Sequence, residues 1–271
     1  MSESRDSILL EGIEGIAPYL DRLVVAGGWA PYLYGRMYGT LLKRESLMTR
    51  DMDIVIPKMG FEDGLPTLDK TILGAGFEHE FASLTQPPVV KYVKTEGDRQ
   101  LAELEFITDA PGEYEGPVEI GSINAQSLRY VGLLLEDPWE CNLGDLGFPQ
   151  SYVVRIPNPS AYVFHKALVA PRRHERAKTA KDLYYIFFVL DAFPEWKDTT
   201  LSGIKGYAST RAKWFDGARK GLARRFAKLD SEGVRMLVEQ RPATAFPHMD
   251  DDQFGRYALA IMGQLIAAME P

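Results

Sequence analysis

The chain has 271 residues, 45% of them hydrophobic and 25% charged, with a net charge of −7; these are the proportions of a soluble globular protein large enough for one big domain or two ordinary ones. No apolar run reaches the roughly 18–20 residues that cross a bilayer, so no membrane role is expected. Cys141 is the single cysteine, which excludes an internal disulfide and a cysteine-rich zinc site, and without a basic and apolar leader at MSESRDSILLEG the expected home is a reducing cytoplasm.

In chain order, Ile8, Leu9, Ile13, Ile16, Ala17 and Leu20 fall at helical spacing and predict a helix over 7–20. Leu23 to Ala26 form a short apolar strand that ends at Gly27-Gly28. A helix from Trp29 to about Tyr38 follows, with Pro31 tolerated in its first turn. Asp51-Met52-Asp53-Ile54-Val55-Ile56 alternates, turns wholly apolar and stops at Pro57, the pattern of a buried strand. Residues 65–75 predict a helix closed by Gly74 or Gly76. Val89 to Thr95 and Leu101 to Thr108 are strand-like, with Gly97-Asp98 between them as in a hairpin. Helix, strand, helix, strand, helix, strand, strand is the order of a mixed α/β (α+β) domain with a small mixed sheet and flanking helices.

After Val153 to Ile156, Pro157 and Pro159 punctuate the chain and the pattern turns helical. Ser160 is placed as the cap of a helix running through Lys166. Residues 178–191 form a core helix, and Trp214, Ala218, Leu222 and Phe226 line one stripe of a basic helix. Phe254, Tyr257, Ala258, Ile261 and Leu265 line the last. The predicted division is an α/β domain over 1–156 and a helical domain over 157–271 that completes the cleft. Between Lys205 and Lys228 there are eight basic residues against Asp216 alone, a segment of +7 that leaves −14 for the remainder. A second basic run holds Lys166, Arg172, Arg173, Arg176, Lys178 and Lys181, with Glu175 its only acid. Such asymmetry marks either a surface for phosphates and nucleic acid or a set of solvated helix faces.

Chemistry concentrates in VVAGGWA and TRDMDIVI. Residues two apart on a strand point the same way, so Asp51 and Asp53 share one face while Ile54 and Ile56 are buried. Two adjacent carboxylates repel, and burial raises the pKa of one unless a cation lies between them. Magnesium or manganese meets that need, since such ions take one or two carboxylates plus substrate phosphates. Glycines between a strand and a helix let backbone N–H groups approach a phosphate, and the helix N-terminus adds a favourable dipole.

Together, AGGWA and TRDMDIVI resemble the DNA polymerase β-like nucleotidyltransferase superfamily, over roughly residues 20–110, and are most similar to its AbiEii-like group from type IV toxin–antitoxin systems. The GGWA turn is also similar to that of lincosamide and aminoglycoside nucleotidyltransferases. The resemblance implies the superfamily fold and a third carboxylate on a neighbouring strand, for which Glu103 and Glu105 are the candidates. The family pattern of an acid, two apolar residues and a threonine fits Glu105-Phe106-Ile107-Thr108. It further implies that Asp51, Asp53 and Glu105 hold Mg2+ or Mn2+, and that Gly27, Gly28 and Arg50 serve a nucleoside triphosphate such as ATP; Trp29 packs the helix base or, as the alternative nucleotide-binding role, stacks on the nucleotide base. Lys166 would contact phosphate and Lys181 or Asp182 would shape the pocket. The implied reaction moves a nucleoside monophosphate to an acceptor hydroxyl, on an RNA or tRNA end, a protein or an antibiotic-like molecule. A toxin with a cognate antitoxin is one form of that reading. A degenerate fold that binds nucleotide without turnover is the rival.

His165 and His174 match no ligand spacing and read as ordinary residues of the basic region. Cys141 reads as a buried apolar filler.

Overall fold

A computed structural model of the chain describes residues 5–39, 47, 49–59, 66–81, 90–110, 112 and 115–270. The architecture is mixed α/β, with a seven-stranded sheet, a two-stranded sheet and nine α-helices among the described residues. It divides into two compact units: Met1–Leu33 with Met48–Asn158, and Tyr34–Leu47 with Pro159–Pro271. No helix among the described residues is long and apolar enough to cross a membrane.

The first unit opens with α1 (Arg5–Ile16). The helix predicted over 7–20 begins earlier and gives way at Ala17–Tyr19 to a 3-10 turn containing Pro18, whose missing N–H ends the α-helical ladder. Gly12 and Gly15 let α1 approach its neighbours closely. A Cβ at Gly12 would come 2.6 Å from Met52 Cε, and one at Gly15 2.7 Å from a ring carbon of Phe77. Next come β1 (Val24–Val25), α2 (Trp29–Tyr38, counted with the second unit from Tyr34 on), β2 (Asp51–Val55), α3 (Leu68–Gly74), β3 (Glu78–Phe81), β4 (Val90–Glu96) and β5 (Arg99–Asp109). They follow the predicted order with β3 added; residues 65 and 89, the predicted starts of a helix and a strand, lie outside the described residues. Thr67 caps α3, its Oγ1 accepting from Lys70 N–H at 3.4 Å.

Strand β5 organises the sheet. One edge runs parallel to β2. The other is shared: β4 pairs antiparallel with its first half, and β7 (Ile123–Leu128) pairs in parallel with Ile107, Thr108 and Asp109. β1 extends the sheet antiparallel to β2, and β3 pairs with β4 as an edge. β6 (Gly116–Ile120) pairs with β7. The β4–β5 hairpin turns at Gly97, whose φ of +60° suits glycine. Val24, Ala26, Val55, Ile107, Val131 and Leu134 form one buried cluster at the C-terminal ends of β2 and β5. A separate ribbon, β8 (Trp139–Asn142) with β9 (Val153–Ile156), holds Cys141 buried, and burial pushes its thiol up to about 11.

The second unit is helical: α4 (Pro159–Val169), α5 (Arg176–Ala192), α6 (Pro194–Thr210), α7 (Ala212–Arg225), α8 (Glu232–Gln240) and α9 (Asp251–Ala268). α4 packs on α5, α6 and α7, while α8 packs on α5 and α9. Ser160 is not the cap expected for α4. Pro159 already begins the helix, and the Ser160 hydroxyl donates to Thr200 O at 3.1 Å. Gly203 makes this crossing close, since a Cβ there would lie 2.8 Å from Ser160 Cβ. Aromatic rings fill the interior, among them Phe187 edge-on to Phe254 at 5.4 Å and Phe164 stacked on Tyr207 at 4.5 Å. Asp250 and Gln253 form a full capping box on α9.

Candidate active site

The turn after β1 brings backbone and carboxylate together. Ala26 N–H donates to Asp53 O at 2.8 Å, and Gly27 follows with a φ of +57°. A Cβ at position 27 would overlap Asp53 Oδ2 and come 2.9 Å from Asp53 Cγ. Glycine is therefore required twice at this position, by conformation and by the carboxylate pressed against its Cα. α2 begins two residues later with Trp29, 1% exposed, whose indole N–H donates to Asp51 O at 3.0 Å. Thus Trp29 fixes the strand that carries the aspartates. Gly28 is buried in the same turn and Arg50 is exposed.

The parallel register of β2 and β5 sets Asp51 beside Glu103 and Asp53 beside Glu105. All four are half-buried, while Met52, Ile54, Leu104 and Phe106 between them are buried on the other face. Strand alternation thus assembles a two-by-two array of carboxylates on one face, with neighbouring strands about 4.8 Å apart. The register is held just beyond the array. Ile56 N–H donates to Ile107 O at 2.9 Å, and the buried Thr108 hydroxyl donates to Ile56 O at 2.8 Å.

The array is unevenly neutralised. Lys91 on β4 donates to Glu103 Oε1 and lies 3.1 Å from Glu105 Oε1. Burial pulls the Lys91 ammonium down, but the two glutamates outweigh it and hold its pKa above the usual lysine range. Gln100 Nε2 donates to Glu103 Oε2 at 2.8 Å. Asp51 accepts from the Thr49 hydroxyl. Glu105 carries the strain: burial, then the Asp53 charge and the Glu103 hydrogen bond push its carboxyl up to about 8, against the opposing pull of Lys91. Thr49 and Lys91 did not emerge as site residues from the sequence. The signals were a hydroxyl two residues before Asp51 and a lysine on the strand next to the glutamates.

Among the described residues no group of three or more His, Cys, Asp or Glu could hold a metal ion as it stands. The donor set nevertheless suits a divalent cation completed by ligand oxygens. Asp53 and Glu105 are neighbouring carboxylates, one of them driven toward protonation by the other, and magnesium takes only one or two carboxylates when phosphates supply the rest.

In the helical unit Lys166 is 8% exposed and donates to Asp182 Oδ1 at 2.7 Å, and Arg173 Nε donates to Oδ2 at 2.9 Å. Burial pushes the Asp182 carboxyl up, but the two cations outweigh it and hold the group below the usual range. The Lys166 ammonium also lies over Tyr162 and Tyr185, at 5.6 and 5.5 Å from the ring centroids, and Lys181 lies 5.9 Å over Tyr185. His165 is buried beside them. Burial, then Lys166 and Arg173, lower its pKa to about 3 against the pull of Asp182, and Nδ1 has no hydrogen-bond partner among the described residues. His174 is exposed.

A nucleotidyltransferase family model matches residues 8–203, which include the glycine turn, the carboxylate array and the Lys166–Asp182 pair. The chain belongs to the nucleotidyltransferase family. It is also similar to the crystal structure of an antigenic nucleotidyltransferase-like protein from Paracoccidioides brasiliensis, with 15% identity, a TM-score of 0.37 and coverage of 80% of this chain and 94% of that one. No curated protein matches the chain.

Proposed function

We propose that this nucleotidyltransferase moves a nucleoside monophosphate from a nucleoside triphosphate to an acceptor hydroxyl, with release of pyrophosphate. The observation that carries the reading is the Asp53–Glu105 pair, set in parallel register against a glycine at positive φ. Asp51, Asp53 and Glu105 are the residues to hold Mg2+ or Mn2+, which when bound would neutralise charge on the triphosphate and on the attacking oxygen. Gly27 and Gly28 offer backbone N–H groups to the phosphates at the start of α2. Glu105, whose carboxyl burial and the Asp53 charge push up to about 8, is the group to take the acceptor proton as the acceptor oxygen attacks the α-phosphorus. The bond to the β-phosphate then breaks and pyrophosphate leaves with the electron pair. Arg50, exposed beside Asp51, is assigned to the phosphate tail.

Likeness of AGGWA and TRDMDIVI to the AbiEii-like group extends the reading to an acceptor on RNA or protein and to the toxic half of a toxin–antitoxin pair. That extension predicts growth arrest on expression that Asp53→Asn relieves. The core reading is tested by pyrophosphate release from each nucleoside triphosphate with magnesium and candidate acceptors. Wild type turns over at least one triphosphate, and Asp53→Asn lowers the rate by about a thousandfold or more. Turnover of none of them, with every acceptor class present, defeats it.

One observation favours a second reading, a nucleotide-binding module without turnover. Lys91 already partners Glu103 and Glu105, so part of the carboxylate charge is answered from within the protein. Triphosphate binding with no pyrophosphate release selects that reading.

A further inference from the structure

Helix α7 presents two unlike faces. Phe215, Ala218 and Leu222 are buried in the helical unit. On the opposite side Lys213, Gly217, Lys220 and Arg224 are all exposed. Residues four, seven and eleven apart on an α-helix lie within about 60° of one another, so these four form one stripe, about 16 Å from end to end. Asp216 lies to one side, engaged by Arg219 at 3.0 Å and Lys220 at 2.7 Å. Lys213 and Arg224 have no acidic partner among the described residues. Gly217 leaves the middle of the stripe flat, with nothing within 4 Å of where a Cβ would sit. Beside the stripe stands the half-exposed indole of Trp214, with the Arg211 guanidinium 5.6 Å over its ring.

The geometry points to a docking face for a single-stranded nucleic acid on α7, with Lys213, Lys220 and Arg224 tracking the phosphate backbone and Trp214 stacking a base. A row of cations on a rigid helix, a gap where a chain can come close and an aromatic plate at its side are the parts that bind single strands without reading sequence. Charge makes the face selective within the molecule, because the segment from Lys205 to Lys228 is +7 and the remainder −14. A polyanion is drawn to this helix and to the smaller basic run at 166–181, and repelled by the acidic remainder. An anionic membrane surface fits less well. Insertion there needs an apolar flank, and apart from Trp214 and Asp216 the exposed and half-exposed positions of α7 carry only basic, glycine and alanine residues. The inference rests on the proposed transferase reaction only for its use, RNA being one of the acceptors named there; the binding itself stands alone.

The test is fluorescence anisotropy of the full chain with a labelled mixed-sequence single-stranded RNA of about 15 nucleotides. Wild type binds, and its affinity falls with salt at a log–log slope near about −2, as three phosphate contacts require. The reversal Lys213→Glu/Lys220→Glu/Arg224→Glu weakens binding by at least about tenfold and flattens the slope. The milder Lys213→Gln/Lys220→Gln/Arg224→Gln variant, checked for an unchanged melting temperature, gives a smaller loss in the same direction. Trp214→Ala weakens binding by about fivefold or more. The control Lys58→Glu/Lys70→Glu/Arg256→Glu, with the same change in net charge at other exposed positions, stays near wild type. Asp53→Asn leaves RNA affinity unchanged, so a failed reaction and a failed binding face read out separately. Equal losses in reversal and control, an affinity indifferent to salt, or capture by phosphatidylserine vesicles without RNA binding would overturn the proposal.

Discussion

The carboxylate array of the sheet and the ionic cluster of the helical unit are both built from half-buried or buried charges, yet they are satisfied in opposite ways. Asp182 is met on each oxygen by a cation, and the cluster of Lys166, Arg173 and Asp182 needs nothing further. The array sets Asp51, Asp53, Glu103 and Glu105 side by side with Lys91 as the cation recorded among them, engaged by the two glutamates. One arrangement closes a fold. The other leaves a region where a cation or a phosphate-bound metal lowers the free energy, which is the condition for a ligand site.

The same chemical change should therefore act with opposite sign in the two regions. Asp182→Asn leaves two cations facing a neutral amide in a buried cluster and is expected to lower stability by about 3–5 kcal/mol. Asp53→Asn relieves repulsion on Glu105 and should leave the melting temperature unchanged or raised while it removes turnover. Calorimetric melting of both variants checks the contrast, and a large stability loss in Asp53→Asn breaks it. Gly27→Ala comes next. A Cβ at positive φ costs about 1–2 kcal/mol, and displacement of Asp53 should reduce pyrophosphate release by about a hundredfold.

Acid sensitivity sharpens the comparison at smaller scale. His165 in the folded state titrates at about 3, below its ordinary 6.5, so it stays neutral where the unfolded chain binds a proton. Its contribution is complete above pH 6.5 and is lost as pH falls from there towards 3, at up to about 1.4 kcal/mol per pH unit. Asp182 is held below 3.8, so its contribution is lost only below that range. Between pH 4 and 6.5, His165 is the titrating member of this cluster, and His165→Leu should flatten the stability–pH curve in that window. An unchanged curve contradicts the assignment.

Much of this was legible in the sequence because apolar runs and punctuating glycines fix it. β2 and β5 announce themselves through DMDIV and LAELEFIT, and the turn before α2 through Gly27-Gly28. β3 was invisible: Glu78, His79, Glu80 and Phe81 are all exposed at a sheet edge, so no buried face leaves a pattern. The short β6, β7 and β8 carry too little alternation, and α6 and α8 mix polar residues through most of their turns. The start of α4 was misplaced because Ser160 is a strong cap by type, yet its hydroxyl serves Thr200 across the Gly203 crossing. Strand register was beyond sequence. Only pairing sets Glu105 next to Asp53 and Glu103 next to Asp51, and only pairing brings Lys91 to both glutamates.

The claim that the array seeks a cation together with a triphosphate is tested most directly by calorimetric titration of Mn2+ into the protein, with and without a non-hydrolysable triphosphate analogue, in wild type and Asp53→Asn. The account predicts Mn2+ binding in wild type that the analogue tightens and that Asp53→Asn abolishes. Equal binding in the two proteins, or none in wild type with the analogue present, would contradict it.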